Sequence, residues 1–457
     1  MKITRFTILL ALLALVNSAQ SHALDPAHYR ELYQKLGAAA KQKNWQAARD
    51  VLAEIGRELP APTPRYFLTV ASIEAQLGHK DQAIHWLEKY AATGLNFDLT
   101  HDEELKGLLS DPAVQKIAAQ MKQRSLPKRG TELVCALPQA DTMPEDITYL
   151  RLGNPRAEGS FYVSSIQHHT LYRVSLPKPG SKECTMQELP LAEKAKRWPA
   201  LAVSADPKRN VLWMTASAMP GFSGFPKEDE GKALLMAVDA SSGKLLRSFD
   251  PGNNGPTVLG DMCVTEEGTV YVTDSIGGGV YRLRGDLQTA KLEKIADGLF
   301  SPQTPVLARD GKRLFVADYT MGVAVIELPA VDAAASTTAK VSYLPHPENV
   351  AVVALDGLYL SGESLIGIQN GTDPVRILRL RLNQAQTAIT GAEVIEQATE
   401  QMGDPTHGVA VDGWFYVSAN VGWSKVDDNT GQLKPGEKFT APLLLRFRAQ
   451  PPTVSAK

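Results

Sequence analysis

The stretch Gly268–Leu283 reads GTVYVTDSIGGGVYRL: an apolar run ends in an Asp, three glycines turn the chain, and a second run returns. The phrase recurs as GSFYVSSIQHHTLYRV at Gly159–Val174, KRLFVADYTMGVAVIEL at Lys312–Leu328 and GWFYVSANVGWSKV at Gly413–Val426. Runs this short, rich in Val, Tyr, Leu and Phe and bounded by Gly, Asp, Asn and Pro, read as β-strands joined by tight turns. Six such units align between residues 127 and 450, with first runs starting near Glu145, Pro199, Asp261, Gln303, Asp356 and Thr406. In ARDGKRLFV the Asp310-Gly311 pair is a hairpin turn between first and second runs. One unit cannot bury its own face, so units of this length stack radially, and the expectation is a six-bladed β-propeller. PLLLRFRA near the C-terminus would complete the last blade, and TELVCALP would close the ring from the N-terminal side.

Ahead of the propeller, residues 24–126 carry apolar residues at helical spacing. HYRELYQKLGAAAKQKNWQAARDVLAEIGREL breaks near Lys43-Asn44, and RYFLTVASIEAQLGHKDQAIHWLEKYAATG breaks at Gly78-His79-Lys80, with Asp81 as the expected N-cap of the helix that follows. Each stretch is a pair of helices. The second resembles a tetratricopeptide repeat, with small residues at the crossing and a Gly at the turn. DPAVQKIAAQMKQ would add a closing helix with Asp111 as N-cap and Pro112 at its first position. Two repeats are short for a solenoid, so this unit is expected to lean on its neighbour. Arg124–Glu132, RSLPKRGTE, has the composition of a linker.

Residues 1–23 read as a secretory signal peptide: Lys2 and Arg5, the apolar core Phe6–Val16, then Ser21-His22-Ala23 as cleavage site, with Ala19 as an alternative. That core is too short to span a bilayer, and no other stretch is apolar enough, so an exported, periplasmic or secreted protein without a membrane span is expected. Residues 451–457 read as a disordered tail. A net charge of −2 leaves no electrostatic footprint for nucleic acid or another polyanion. Export permits a disulfide, and of the three cysteines Cys135 and Cys184 flank the first blade and are the expected pair. Cys263 is expected to be a small buried apolar residue.

In each unit the first and second runs form a hairpin, so the start of one and the end of the other share one end of the ring. The polar residues there converge on one mouth of the central channel: Glu145, Asp146, Asp261, Gln303, Asp356, Thr406 and His407 from the starts, and Ser164, Ser165, Thr215, Asp274, Asp318, Gln369, Asn370 and Asn420 from the ends. Converging carboxylates repel, and a hard cation such as Ca²⁺ or Mg²⁺ relieves that repulsion. For any one of these residues the plainer role is to bond its own turn backbone. His168-His169 fall in a loop and are expected to be exposed there rather than to form a ligand pair. No nucleophile elbow, phosphate loop or dinucleotide fingerprint is present.

PEDITY, VYVTDSIGGGVYRL, LFVADYTMGVAVIEL, DGLYLSGESLIGIQNG and DPTHGVAV resemble the SMP-30/gluconolactonase-like six-bladed propellers over roughly Pro144 to Arg448. The resemblance implies one divalent cation and the hydrolysis of a lactone or ester. Matched residue by residue, it places Glu145 and Asp356 as ligands, Asp356 also as the catalytic base, and Asp261 and Gln303 where that family carries asparagines. Asp274, Asp318, Gln369, Asn370 and Asn420 would line a substrate site for a lactone or sugar-like molecule. The competing expectation is a non-enzymatic exported binding protein, whose helical repeats take a protein partner and whose propeller is a platform.

Overall fold

The computed structural model describes residues 25–152, 158–177, 183–252, 255–329, 339–427 and 429–450. The segments read as signal peptide and tail, 1–23 and 451–457, lie outside the described residues. Among those described, no helix is long and apolar enough to cross a membrane.

Six four-stranded antiparallel sheets make up most of the chain. The innermost strands, in blade order, are Ile147–Leu150, Ala200–Asp206, Leu259–Val264, Pro302–Leu307, Leu355–Ser361 and Gly408–Val411, and each of the first five blades runs outward in chain order. Blade 6 differs: after Trp414–Ala419 and Leu443–Arg448, its outermost strand is Glu132–Ala136, from the other end of the propeller sequence. Apolar residues from facing blades interdigitate, as where Phe161 of blade 1 meets Tyr416 of blade 6 at 4.8 Å between ring centroids. The opening phrase explains itself here. Asp274 ends a second strand and folds back to accept from the Gly277 amide at 2.9 Å, so a side chain at Gly277 would strike the carboxylate, while Gly278 takes φ +74° against the Leu299 carbonyl.

Cys135 and Cys184 form a disulfide with 5.6 Å between Cα atoms, joining the outermost strand of blade 6 to the segment that leads into the outermost strand of blade 1. The bond closes a loop across 49 positions. We expect its reduction to lower unfolding stability by about 2–4 kcal/mol, read as a shift in urea midpoint with and without a phosphine reductant. The Cys135→Ser variant should be insensitive to the reductant.

Among the described residues five α-helices precede the ring: α1 Pro26–Lys41, α2 Trp45–Glu58, α3 Pro64–Gln76, α4 Lys80–Ala92 and α5 Pro112–Arg124. Asp25, Asn44, Thr63 and Asp111 cap four of them through side-chain oxygens. The expected cap at Asp81 is corrected: α4 starts two residues earlier than that cap would give, at Lys80 with His79 at the cap, and Asp81 sits in the first turn, where its charge faces the positive end of the helix dipole. Nor is the linker free. Lys128 exchanges backbone hydrogen bonds with Gln397, and the Gly130 and Thr131 amides donate to the buried Glu396 carboxylate at 3.1 and 2.7 Å.

The helices pack on blades 4 and 5. Tyr29 meets Phe300 edge-on at 5.0 Å, Met321 joins the core of α1–α3, and Ala351 joins that of α3–α5. Arg376 reaches the Thr93 carbonyl at 3.2 Å, and Asn96 bonds Asp373 twice, each at 2.7 Å. Phe300 and Ala351 precede innermost strands, and Met321 and Asp373 follow second strands. The helical unit therefore rests on the face of the ring where the innermost strands begin.

Candidate functional site

Four of the six innermost strands carry a register shift at their beginning, between Ala200/Val203, Leu259/Met262, Pro302/Pro305 and Leu355/Leu358. A bulge puts an extra residue into the strand and re-aims its side chains. The shifted residues include Asp261, Gln303, Thr304 and Asp356, so the backbone irregularity turns polar groups toward the axis in a place where strand alternation alone would not.

At the mouth, ligand atoms of Glu145, Asp356 and His407 all lie within 4.8 Å of one another. Trp423 donates its indole N–H to Glu145 Oε2 at 2.5 Å, and Asn370 donates to Asp356 Oδ2 at 2.6 Å while accepting from the Tyr319 hydroxyl at 3.0 Å. His407 is 1% exposed. Its Nδ1 lies 2.9 Å from the Glu145 carbonyl, which can only accept, so Nδ1 carries a proton. Nε2 stands 2.8 Å from Asp261 Oδ1 as an ion pair, with no aligned hydrogen-bond partner. Thr304 Oγ1 donates to the Asp356 carbonyl at 2.9 Å and lies 3.4 Å from Asp261 Oδ2, linking the two acids.

Burial dominates the electrostatics. It pushes Glu145 up to about 8, with the Asp356 charge adding to it, and Asp146 up to about 7. Asp356 is pushed up to about 6 by burial, with His407 pulling the other way. Burial alone would lower the His407 imidazole, but the Asp261 and Asp356 charges outweigh it and hold the ring well above the usual histidine range. Among the described residues neither Glu145 nor Asp356 pairs with a Lys or Arg.

The other residues expected at the site bond elsewhere. Gln303 turns its carboxamide back to Ser301 Oγ at 3.0 Å. Asp274 Oδ1 accepts from the Val258 and Gly277 amides, and Asp318 from the Phe300 amide and the Tyr343 hydroxyl, both at 2.9 Å. Gln369 is held between Arg376 and the Ala351 and Val353 carbonyls, and Asn420 bonds Thr440 and the Ala441 carbonyl. Several mouth hydroxyls join one blade to the next: Ser164 to the Leu201 carbonyl, Ser418 to Pro144 at 2.8 Å, and Thr406 to Glu145 at 2.6 Å. His168 and His169 are half-buried in a turn rather than exposed, His168 bonding Tyr172 at 2.8 Å. Cys263 carries a free thiol, as expected, but it faces the central channel.

The fit to a hard cation is therefore to Glu145 and Asp356, two close carboxylates whose ionised forms burial disfavours. Gln303 is committed to Ser301, and Asp261 to His407. The His407–Asp261 pair and the Trp423 contact were missed in the sequence. Both depend on blades far apart in the chain, and the only local signals were the His after Thr406 and the Trp after Gly422.

No protein-family model and no curated protein matches the sequence. Solved structures align with it. The PQQ-bound aldose sugar dehydrogenase of Streptomyces coelicolor is 13% identical, with a TM-score of 0.42 over 70% of this chain and 99% of that one. A glucose dehydrogenase is 13% identical, with a TM-score of 0.45 over 70% and 99%. A luciferin-regenerating enzyme is 12% identical, with a TM-score of 0.40 over 70% and 92%.

Proposed function

We propose that this protein hydrolyses a lactone or ester at the propeller mouth, with a divalent cation held by Glu145 and Asp356. The observation that carries the reading is the close approach of these two carboxylates, Asp356 buried and Glu145 half-buried, without a Lys or Arg partner among the described residues, beside an Asn that orients one of them. The cation, when bound, would polarise the scissile carbonyl. Asp356 would take the proton of the attacking water, and Asn370, bonded to its Oδ2, keeps the carboxylate turned toward the mouth. Trp423, donating to Glu145 Oε2, holds that carboxylate in place. A lactone or sugar-like substrate suits a mouth lined by amide and hydroxyl groups. The helices, in our reading tetratricopeptide-like, serve as a wall of this mouth, since much of their apolar surface packs on one another and on blades 4 and 5. We read the segment 1–23 as an export signal, which would put the reaction outside the cytoplasm.

Calorimetric titration of the metal-stripped protein with Ca²⁺ and Mg²⁺ tests the reading. We expect saturable one-to-one binding of at least one ion, weakened by about tenfold or more in Glu145→Gln, since removing one ligand charge from a two-carboxylate site costs well over about 1.4 kcal/mol. No heat with either ion would leave the propeller as a recognition platform.

A further inference from the structure

A cavity of about 170 Å³ follows the axis of the ring. Asp146, Asp261, Thr304 and His407, at the beginnings of innermost strands, form one end of it, and all four are buried. Farther along the same strands the walls are Ser204, Cys263, Val264, Val306, Tyr359 and Val409, all partly exposed, and then Ala410, which is exposed. Exposure thus rises with distance from the mouth, so the cavity opens on the face opposite the helical unit. At its buried end Thr304 bonds the Asp356 carbonyl, so the cavity ends beside the proposed site.

That buried end, the floor of the cavity, has unused hydrogen-bonding capacity. His407 Nε2 stands 2.8 Å from Asp261 Oδ1 but makes no aligned hydrogen bond, and among the described residues Asp261 Oδ2 has only the long contact to Thr304. Asp146, by contrast, is satisfied by the Ile147 and Val203 amides at 2.7 and 2.8 Å. A water at the floor would have His407 Nε2, Asp261 Oδ2 and Thr304 Oγ1 as partners, the two to four a buried water needs. Thr304 also bonds the Asp356 backbone, so this position lies beside the proposed base.

We propose that the axial channel is a rear entrance that brings water to the His407–Asp261 pair, while substrate enters at the opposite mouth. This rests on the hydrolase reading for its use, though not for its geometry. In that use the oxygen of the incoming water bonds to the carbonyl carbon, and its proton passes to Asp356. The acyl C–O bond then breaks, and the departing alkoxide takes the proton. A substrate seated in the mouth blocks the front, and the rear channel keeps water available without opening that seat.

The test plugs the channel far from the mouth. Methylmercury chloride on the native full-length chain targets Cys263, the one thiol outside the disulfide. Val409→Phe narrows the same wall without a reagent. One readout is transfer of water magnetisation to the His407 ring N–H signals in histidine-labelled protein, and the other is turnover of p-nitrophenyl acetate. We expect both plugs to suppress the transfer and to lower kcat by about tenfold, with KM little changed, and Cys263→Ala to abolish the mercury effect. Transfer that persists in both plugged forms overturns the proposal. Transfer that is lost on plugging, in a protein that does not turn the ester over, upholds the channel and overturns the hydrolase reading instead.

Discussion

Asp356→Asn should lower kcat on an activated ester such as p-nitrophenyl acetate by about 10²–10⁴-fold, the usual contribution of a positioned general base. The substitution keeps the shape of the side chain and removes its charge, so neighbouring bonds set what else changes. Asn370 donates to Asp356 Oδ2, and an amide placed there can still offer its oxygen to that donor. The bulge between Leu355 and Leu358 is a backbone feature and remains. The propeller should therefore keep its circular dichroism and urea midpoint while losing turnover and cation affinity together. Because the Asp356 charge helps hold Glu145 up, removing it should also let Glu145 ionise more readily. Any residual activity should then shift its pH profile toward the acid side. Full activity in this variant would mean that another group takes the proton.

The metal-free protein should be several kcal/mol more stable near pH 5 than near pH 8.5. Glu145, Asp146 and Asp356 are all pushed up in the folded state, to about 8, 7 and 6, while their unfolded values lie at ordinary carboxylate pH. Between the two values the folded state binds more protons than the unfolded one, so stability falls as pH rises. His407 acts in the same direction. Its folded pKa is raised, so its contribution is fully present below the unfolded value near 6.5 and is lost as pH climbs through the folded value. A tenfold difference in proton affinity between the folded and unfolded states is worth roughly 1.4 kcal/mol, and these charges share one cluster, so the combined change is on the order of a few kcal/mol. Urea unfolding in a chelator at both pH values reads it directly. Millimolar Ca²⁺ should restore much of the loss at the alkaline end, since a cation replaces the protons. A flat profile would mean the acids are solvated and the mouth is open water.

Most of the ring was legible in the sequence, because a strand's alternation and its turn residues are local. Gly268–Leu283 announces a strand, an Asx turn and a strand, and that is what forms. Closure by TELVCALP was legible too, since a run left over at one end has to pair with something. What local reading could not do was sort the polar residues. Asp274 and Asp318 sit after second strands, while Asp261 and Asp356 sit at the starts of first ones; the first two bond turn amides, whereas the others face the axis. The difference is made by bulges, whose cue in the sequence is no more than a glycine beside the Asp, at Gly260 and Gly357. The docking of the helices was equally out of reach, because Tyr29 finds Phe300 across more than two hundred intervening residues.

The seam of blade 6 sets a condition on how this chain can be made. Glu132–Ala136 precedes every other strand of the ring in the chain, and the strand it must pair with, Leu443–Arg448, follows all of them. While the intervening blades are made, that edge has no native partner. A product that stops short of Leu443 would keep it permanently, and a bare strand edge is where chains adhere to one another. The ring thus works as a length gauge, in which only a chain translated through its final strand can hide the edge that marks it as unfinished.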